Sequence, residues 1–175
     1  MTDAVGASVH ASAVLVENRA VLIRGPSGAG KSRLAFDLIL AGRSGQIPAA
    51  VLVGDDRVHL DAGMGQLVVR PVPELAGLIE IRGLGIRPCD FTKQAIVGMV
   101  VDLSAADAER VPSPEALLTR IYGIKIPRIP VGAGFAALPL VVAALTMTAS
   151  SSSGQPSADC SKGIGNHIGP SIATD

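Results

Sequence analysis

Short apolar, β-branched runs alternate with polar or glycine-bearing breaks through the first two-thirds of the chain. This is the pattern of buried strands joined by tight turns. Residues 8–16 are apolar and β-branched, and Glu17, Asn18 and Arg19 make a polar turn into a second run at 20–23, so the pair predicts a hairpin. The period then changes. Leu34, Ala35, Leu38 and Ile39 recur at helical spacing and Gly42 follows as a stop, which predicts a helix over 31–41. Further strands are predicted over 50–53, 58–60, 66–70, 78–81 and 96–103, with 58–60 and 66–70 paired around a turn at 63–65. Pro112, Pro114, Pro127 and Pro130 punctuate the next stretch, leaving room for a short helix over 115–120. A buried, alanine-rich helix is predicted over 135–145. The surrounding run 131–147 is uncharged, but it is at the short end for a membrane span and contains Pro139 and two glycines.

The pattern stops after Thr148. Residues 149–175 are dominated by Ser, Gly, Ala and Pro, with too few apolar groups to offset the entropy of ordering. The expected organisation is one domain over 1–148 and a disordered tail over 149–175. A chain of 175 residues, 48% apolar, suits a single sizeable core. Basic and acidic residues balance at 15 each, which excludes a broad electrostatic grip on nucleic acid or on an anionic membrane. With 3 Phe, 1 Tyr and no Trp there is no base-stacking platform. Cys89 and Cys160 have no metal or disulfide-framework spacing, and no basic-then-apolar leader is visible, so a reduced, cytoplasmic setting is expected.

The chemistry concentrates at Gly25-Pro26-Ser27-Gly28-Ala29-Gly30-Lys31-Ser32, which fits G-x-x-x-x-G-K-[ST] at every fixed position. Glycines allow the backbone to approach a phosphate, so that its N–H groups converge on the oxygens. Lys31 adds a charge for the terminal phosphates, and the Ser32 hydroxyl can ligate Mg²⁺. A strand before the loop and a helix after it aim the helix dipole at the same anion. A second anchor for the metal is expected at the carboxyl end of a neighbouring strand, where Asp55 and Asp56 follow the run 50–53. One can bind metal while the other takes a proton from a hydroxyl nucleophile. Downstream, Glu80 and Arg82 are expected on one face of a strand, as a metal-shell carboxylate and an anion clamp.

Three blocks in order carry a resemblance: His10-Ala11-Ser12; the phosphate loop with Gly54-Asp55-Asp56-Arg57; and Leu78-Ile79-Glu80-Ile81-Arg82-Gly83-Leu84-Gly85-Ile86. The chain resembles the C-terminal catalytic domain of HPr kinase/phosphorylase over residues 8–147, most closely through Ile86. The resemblance implies an α/β fold: a P-loop kinase-like mixed β-sheet with a phosphate-loop helix and a C-terminal helix. It implies ATP and Mg²⁺ as cofactors and a serine of the phosphocarrier HPr as acceptor, with phosphorolysis of phospho-HPr as the reverse reaction. It implies Lys31 on the β- and γ-phosphates, Ser32 on Mg²⁺, Asp55 as general base, Asp56 and Glu80 as metal ligands, His10 as the active-site histidine, and Arg110 as a loop arginine that stabilises transferred charge. The two aspartates can exchange roles. The long family form has a separate N-terminal domain, so this chain is expected to be the short, single-domain form seen in alphaproteobacteria. A homo-oligomer is also implied, hexameric in the long form. The region after Leu103 is compressed relative to that form. It contributes there to HPr docking and to phosphorolysis. A small-molecule kinase, a generic P-loop NTPase and a nucleotide-binding regulatory module fit the phosphate loop as well.

Overall fold

A computed structural model describes residues 7–147. Among these residues, β1 (Ser12–Val16) and β2 (Arg19–Arg24) form the expected hairpin, followed by α1 (Lys31–Arg43) and β3 (Ala50–Gly54). Next come β4 (Val58–Gly63), β5 (Gln66–Pro71), a short 3₁₀ turn at Pro73–Leu75, β6 (Leu78–Ile81) and β7 (Gly85–Pro88). The order closes with β8 (Ala95–Leu103), β9 (Leu118–Ile121), β10 (Ile124–Val131) and α2 (Ala137–Thr146).

The main sheet runs β3-β1-β2-β8-β10-β9, and a β4–β5 hairpin branches from β8 through β5. It is mixed, as expected. The phosphate-loop strand β2 lies parallel to β8, and β8 lies parallel to β10; the remaining pairings are antiparallel. β6 and β7 form a separate two-stranded ribbon.

Strand alternation fills two cores. Val14, Val16, Val21 and Ile23 point to a core shared with Leu34 and Leu38 of α1 and Val141 of α2. Their neighbours Ala13, Ala20 and Leu22 point the other way, onto Val58, Leu60, Leu67 and Val69 of the β4–β5 hairpin. β1 and β2 are thus covered on both faces, which is why they read as near-continuous apolar runs. Gly42 lies within α1 and is not its stop, the cap being Ser44. It lets the helix lie close, since a Cβ there would stand 2.7 Å from the Ala50 nitrogen.

Three expectations are corrected. Residues 115–120 are not a helix. They form a turn leading into β9, which pairs with β10 from Ile121↔Ile124 to Leu118↔Pro127. Tyr122 and Gly123, both at positive φ (49° and 80°), make a two-residue turn whose twist suits a hairpin better than a helix. β10 was not anticipated, because Pro127 and Pro130 lie inside it. A proline is tolerated where its nitrogen has no ladder bond to donate. Arg82 does not continue the β6 strand with Glu80. It lies in the turn before β7.

The C-terminal helix is present, with Pro139 in its first turn, where a missing N–H costs little, but it is not the buried helix expected: Val141 is its one buried residue. No helix among the described residues is long and apolar enough to cross a membrane. Cys160 and the expected tail over 149–175 lie outside the described residues.

Candidate active site

The phosphate loop leaves β2 at Gly25, whose φ is 149° and whose Cβ position would lie 2.9 Å from the Leu103 carbonyl oxygen. A side chain there would push the loop off the end of β8. Gly30 caps α1 in the left-handed region at φ 96°, with no side-chain cap bond and no acidic residue in the first turn. The first N–H groups of a helix lack partners within it. Among the described residues no side chain caps these groups, which leaves the place an anion would occupy open. Lys31 is buried and folds back on its own loop, donating from Nζ to the carbonyls of Gly25 (2.9 Å) and Pro26 (3.0 Å). Burial pushes its ammonium below the usual lysine range, against the opposing pull of Asp56 and Asp55. An incoming polyphosphate would supply the missing negative charge.

Opposite the loop, a second set of residues is built by backbone pairing. Val9 exchanges hydrogen bonds with Val58 at 2.8 and 3.1 Å. Arg57 donates to the Ser8 hydroxyl (2.8 Å) and to the Ser8 carbonyl (3.2 Å). These contacts lash the segment before β1 to the turn after β3. The turn puts Asp56 in the left-handed region at φ 63°, a conformation aspartate tolerates and functional sites often contain. As a result His10 Nε2 lies 3.4 Å from Asp56 Oδ1, with both side chains open to solvent.

The two adjacent carboxylates therefore differ. Asp55 is 3% exposed. One of its oxygens accepts from the Ser12 hydroxyl at 2.6 Å, and the other accepts from the Glu80 backbone N–H at 3.0 Å. It ties β1 to β6. Asp56 faces a cleft of about 500 Å³, which is also lined by His10, Ser27, Gly28, Gly30, Lys31, Ser32, Glu80 and Arg82. Of the residues singled out in the sequence, the cleft gathers Ser27, Gly28, Gly30, Lys31 and Ser32 of the phosphate loop and the His10, Asp56, Glu80 and Arg82 set, while Gly25, Pro26 and Ala29 do not line it. It does not gather Asp55, nor Arg110, which is exposed on the connection between β8 and β9.

Sequence reasoning missed Arg33, Phe36 and Asp37, which line the cleft from one face of α1. Their spacing of three and four residues was the available signal. It also missed Asp102 at the end of β8, because its partners Arg24 and Arg128 are far apart in the chain.

A strand, a glycine loop and a helix N-terminus beside a carboxylate-lined cleft, on a mixed sheet, define a phosphate-loop protein of the kinase-like α/β class. Within that class, the chain belongs to the HPr serine kinase C-terminal domain family, whose model matches residues 3–161. That match runs past position 148, where the composition changes. The chain is 31% identical over 155 residues to an HPr kinase/phosphorylase of Mycoplasma mycoides subsp. mycoides SC, covering 79% of this chain and 47% of that protein. It is 37% identical over 145 residues to the HPr kinase/phosphorylase of Enterococcus faecalis, covering 75% of this chain and 44% of that one. The chain thus spans just under half the length of these curated relatives. The solved structure of the Hpr(Ser) kinase/phosphatase from Coxiella burnetii superposes with a TM-score of 0.62 at 26% identity, covering 79% of this chain and 93% of that chain.

Proposed function

We propose that this chain is an ATP-dependent protein serine kinase domain that transfers the terminal phosphoryl group of ATP to a serine of HPr or an HPr-like phosphocarrier. The carrying observation is the arrangement across one cleft: a phosphate loop on one wall and an open carboxylate held by a histidine, 3.4 Å away, on the other. A phosphate loop alone binds nucleotide. A carboxylate facing it can also accept a hydroxyl proton and so support transfer to an alcohol.

In this reading the backbone N–H groups of the loop and the Lys31 ammonium receive the β- and γ-phosphates. Mg²⁺ fits the donor set. Among the described residues no cluster of three or more His, Cys, Asp or Glu could cage a metal. Mg²⁺ needs none, since it keeps several waters and is held by one or two carboxylates together with substrate phosphates. Ser32 and Glu80 would supply protein oxygens, and the ion would neutralise charge on the phosphoryl oxygens.

Asp56 is the residue we assign as base, in place of Asp55. Asp55 is buried with both oxygens engaged, whereas Asp56 reaches the cleft. Asp56 takes the serine proton as the serine oxygen attacks the γ-phosphorus and ADP leaves. In the reverse direction an oxygen of inorganic phosphate attacks the phosphoserine phosphorus, the bond to the serine oxygen breaks, Asp56 returns the proton to that oxygen, and pyrophosphate is the product. His10 holds the Asp56 carboxylate toward the cleft. Arg110 would meet the transferred charge only when its loop closes over the nucleotide. ATP as donor and a free thiol at Cys89 suit a cytoplasmic setting. The assembly expected is a homo-oligomer.

The test is incubation with purified HPr, ATP and Mg²⁺, read by intact mass. The carrier should gain one phosphate and lose it when inorganic phosphate is added with pyrophosphate appearing. No gain, under conditions where another HPr kinase modifies the same carrier, overturns the proposal. ATP hydrolysis indifferent to the carrier would instead favour a small-molecule kinase or a generic P-loop NTPase.

A further inference from the structure

Behind the phosphate loop, on the side away from α1, lies a charged cluster that the reading above does not use. Arg24 and Asp102 are register partners at the ends of β2 and β8. The Arg24 guanidinium donates to the two Asp102 oxygens at 2.7 and 2.8 Å. Arg128 of β10 donates from Nε to Asp102, and its terminal nitrogens donate to the two oxygens of Asp107 at 2.7 and 2.9 Å. It also donates to the Ala116 carbonyl at 3.0 Å. The Asp102 and Arg128 side chains are only 16% and 14% exposed.

Two features of this cluster have a geometric consequence. First, Arg24 is bonded directly to Gly25, the first residue of the phosphate loop. Second, Asp107 and Ala116 are the two feet of the loop that carries Arg110. One planar guanidinium therefore clamps both feet, and Asp102 and Arg24 connect that clamp to the start of the phosphate loop. Largely withdrawing the charged Asp102 and Arg128 side chains from water gives little net stability compared with apolar packing. What a fork of fixed donors fixes well is relative position. Burial alone would raise the Asp102 carboxyl, but the hydrogen bonds from Arg24 and Arg128 outweigh it and hold it below the usual range, so the cluster stays ionised.

We propose that Arg128 is a positioning residue, which registers the 107–116 loop, and with it Arg110, against the phosphate loop through Asp102 and Arg24. This rests on the kinase reading only for what Arg110 does once it is in place. The anchoring itself can be tested without a carrier.

The first arm is limited trypsin digestion of the full chain, with cleavage after Arg110 followed by mass. Asp107→Asn removes the loop-side anchor from a half-exposed site, so the fold should persist with an unchanged melting temperature. Cleavage after Arg110 should accelerate about tenfold as the loop opens more often. The second arm is steady-state phosphorylation of HPr. Asp107→Asn should lower kcat by about tenfold or more while leaving KM for ATP within about twofold, the signature of lost alignment rather than lost nucleotide binding. Arg128→Lys keeps the charge but not the fork. It should lower kcat similarly, and the double variant should fall no further. Wild-type cleavage and wild-type kcat in Asp107→Asn would overturn the proposal, as would a fall in ATP affinity that accounts for the whole loss. If the wild-type chain phosphorylates no carrier, the kinase reading fails, and accelerated or unchanged cleavage after Arg110 still decides the anchoring.

Discussion

Asp55 and Asp56 are consecutive in the chain and opposite in circumstance. The strand period turns one carboxylate into the fold, and the left-handed turn at Asp56 turns the next one out. Substitution should separate their roles. Asp56→Asn should lower phosphoryl transfer by about 10²–10⁴-fold while the melting temperature and ATP affinity stay near wild type. Asp55→Asn should instead destabilise the chain by about 1–3 kcal/mol, because the amide cannot accept both the Ser12 hydroxyl and the Glu80 N–H without presenting a donor to one of them. Denaturant unfolding of the two variants separates the assignments. The reverse outcome would return the base role to Asp55. Lys31 makes a different prediction. Folding lowers its proton affinity, so the unfolded chain holds that proton more tightly. Stability should therefore rise as pH climbs through the window just below its ordinary value of 10.5. Lys31→Met should flatten that rise in a series of thermal melts, and should also weaken ATP binding. The phosphate loop was legible in the sequence because its residues are contiguous and its glycines have a local purpose. The difference between the aspartates was not, because it depends on Ser12 and on the backbone of Glu80, which local spacing cannot bring together.

At the scale of elements, α1 is the piece on which the site depends. Its N-terminus faces the cleft, and its buried stripe of Leu34, Ala35, Leu38 and Ile39 seats it on the sheet. Leu38 is fully buried, so Leu38→Ala should cost about 2–5 kcal/mol in urea unfolding. A smaller loss would mean that the helix can settle into the space. The helix was readable because amphipathic spacing is a local signal; Gly42 did not mark its end, since it lies inside α1 and the cap falls at Ser44. β9 and β10 were not. Two prolines argue against a strand, and the short run at 118–121 is ambiguous alone. The hairpin forms because Tyr122 and Gly123 make a tight turn and because β8 offers β10 a parallel partner from Arg128↔Val100 to Val131↔Leu103. Strand pairing of this kind is decided by a partner elsewhere in the chain, where propensity carries little weight.

For the whole molecule, nucleotide binding should be a stability term, since the loop and the cleft exist only when the sheet is assembled. ATP with Mg²⁺ at about 100 times its Kd should stabilise the folded chain by about 2.7 kcal/mol. For a chain of this size that is a rise in melting temperature of about 5–10 °C. Differential scanning fluorimetry would read it, and Lys31→Met should abolish most of it; an unchanged wild-type melt would argue against a nucleotide site here. By itself the sequence determined the hairpin that leads into the phosphate loop, the helix after it and the chemical inventory of the site. Each of these is written in a periodicity or a contiguous motif that acts over a few residues. Only the tertiary structure decided which carboxylate faces the cleft, that His10 meets Asp56, and that Arg24, Asp102, Arg128 and Asp107 form one cluster. Those outcomes depend on strand register and on pairings between distant segments. Such contacts are set by the burial of the whole sheet, and no single segment specifies them alone.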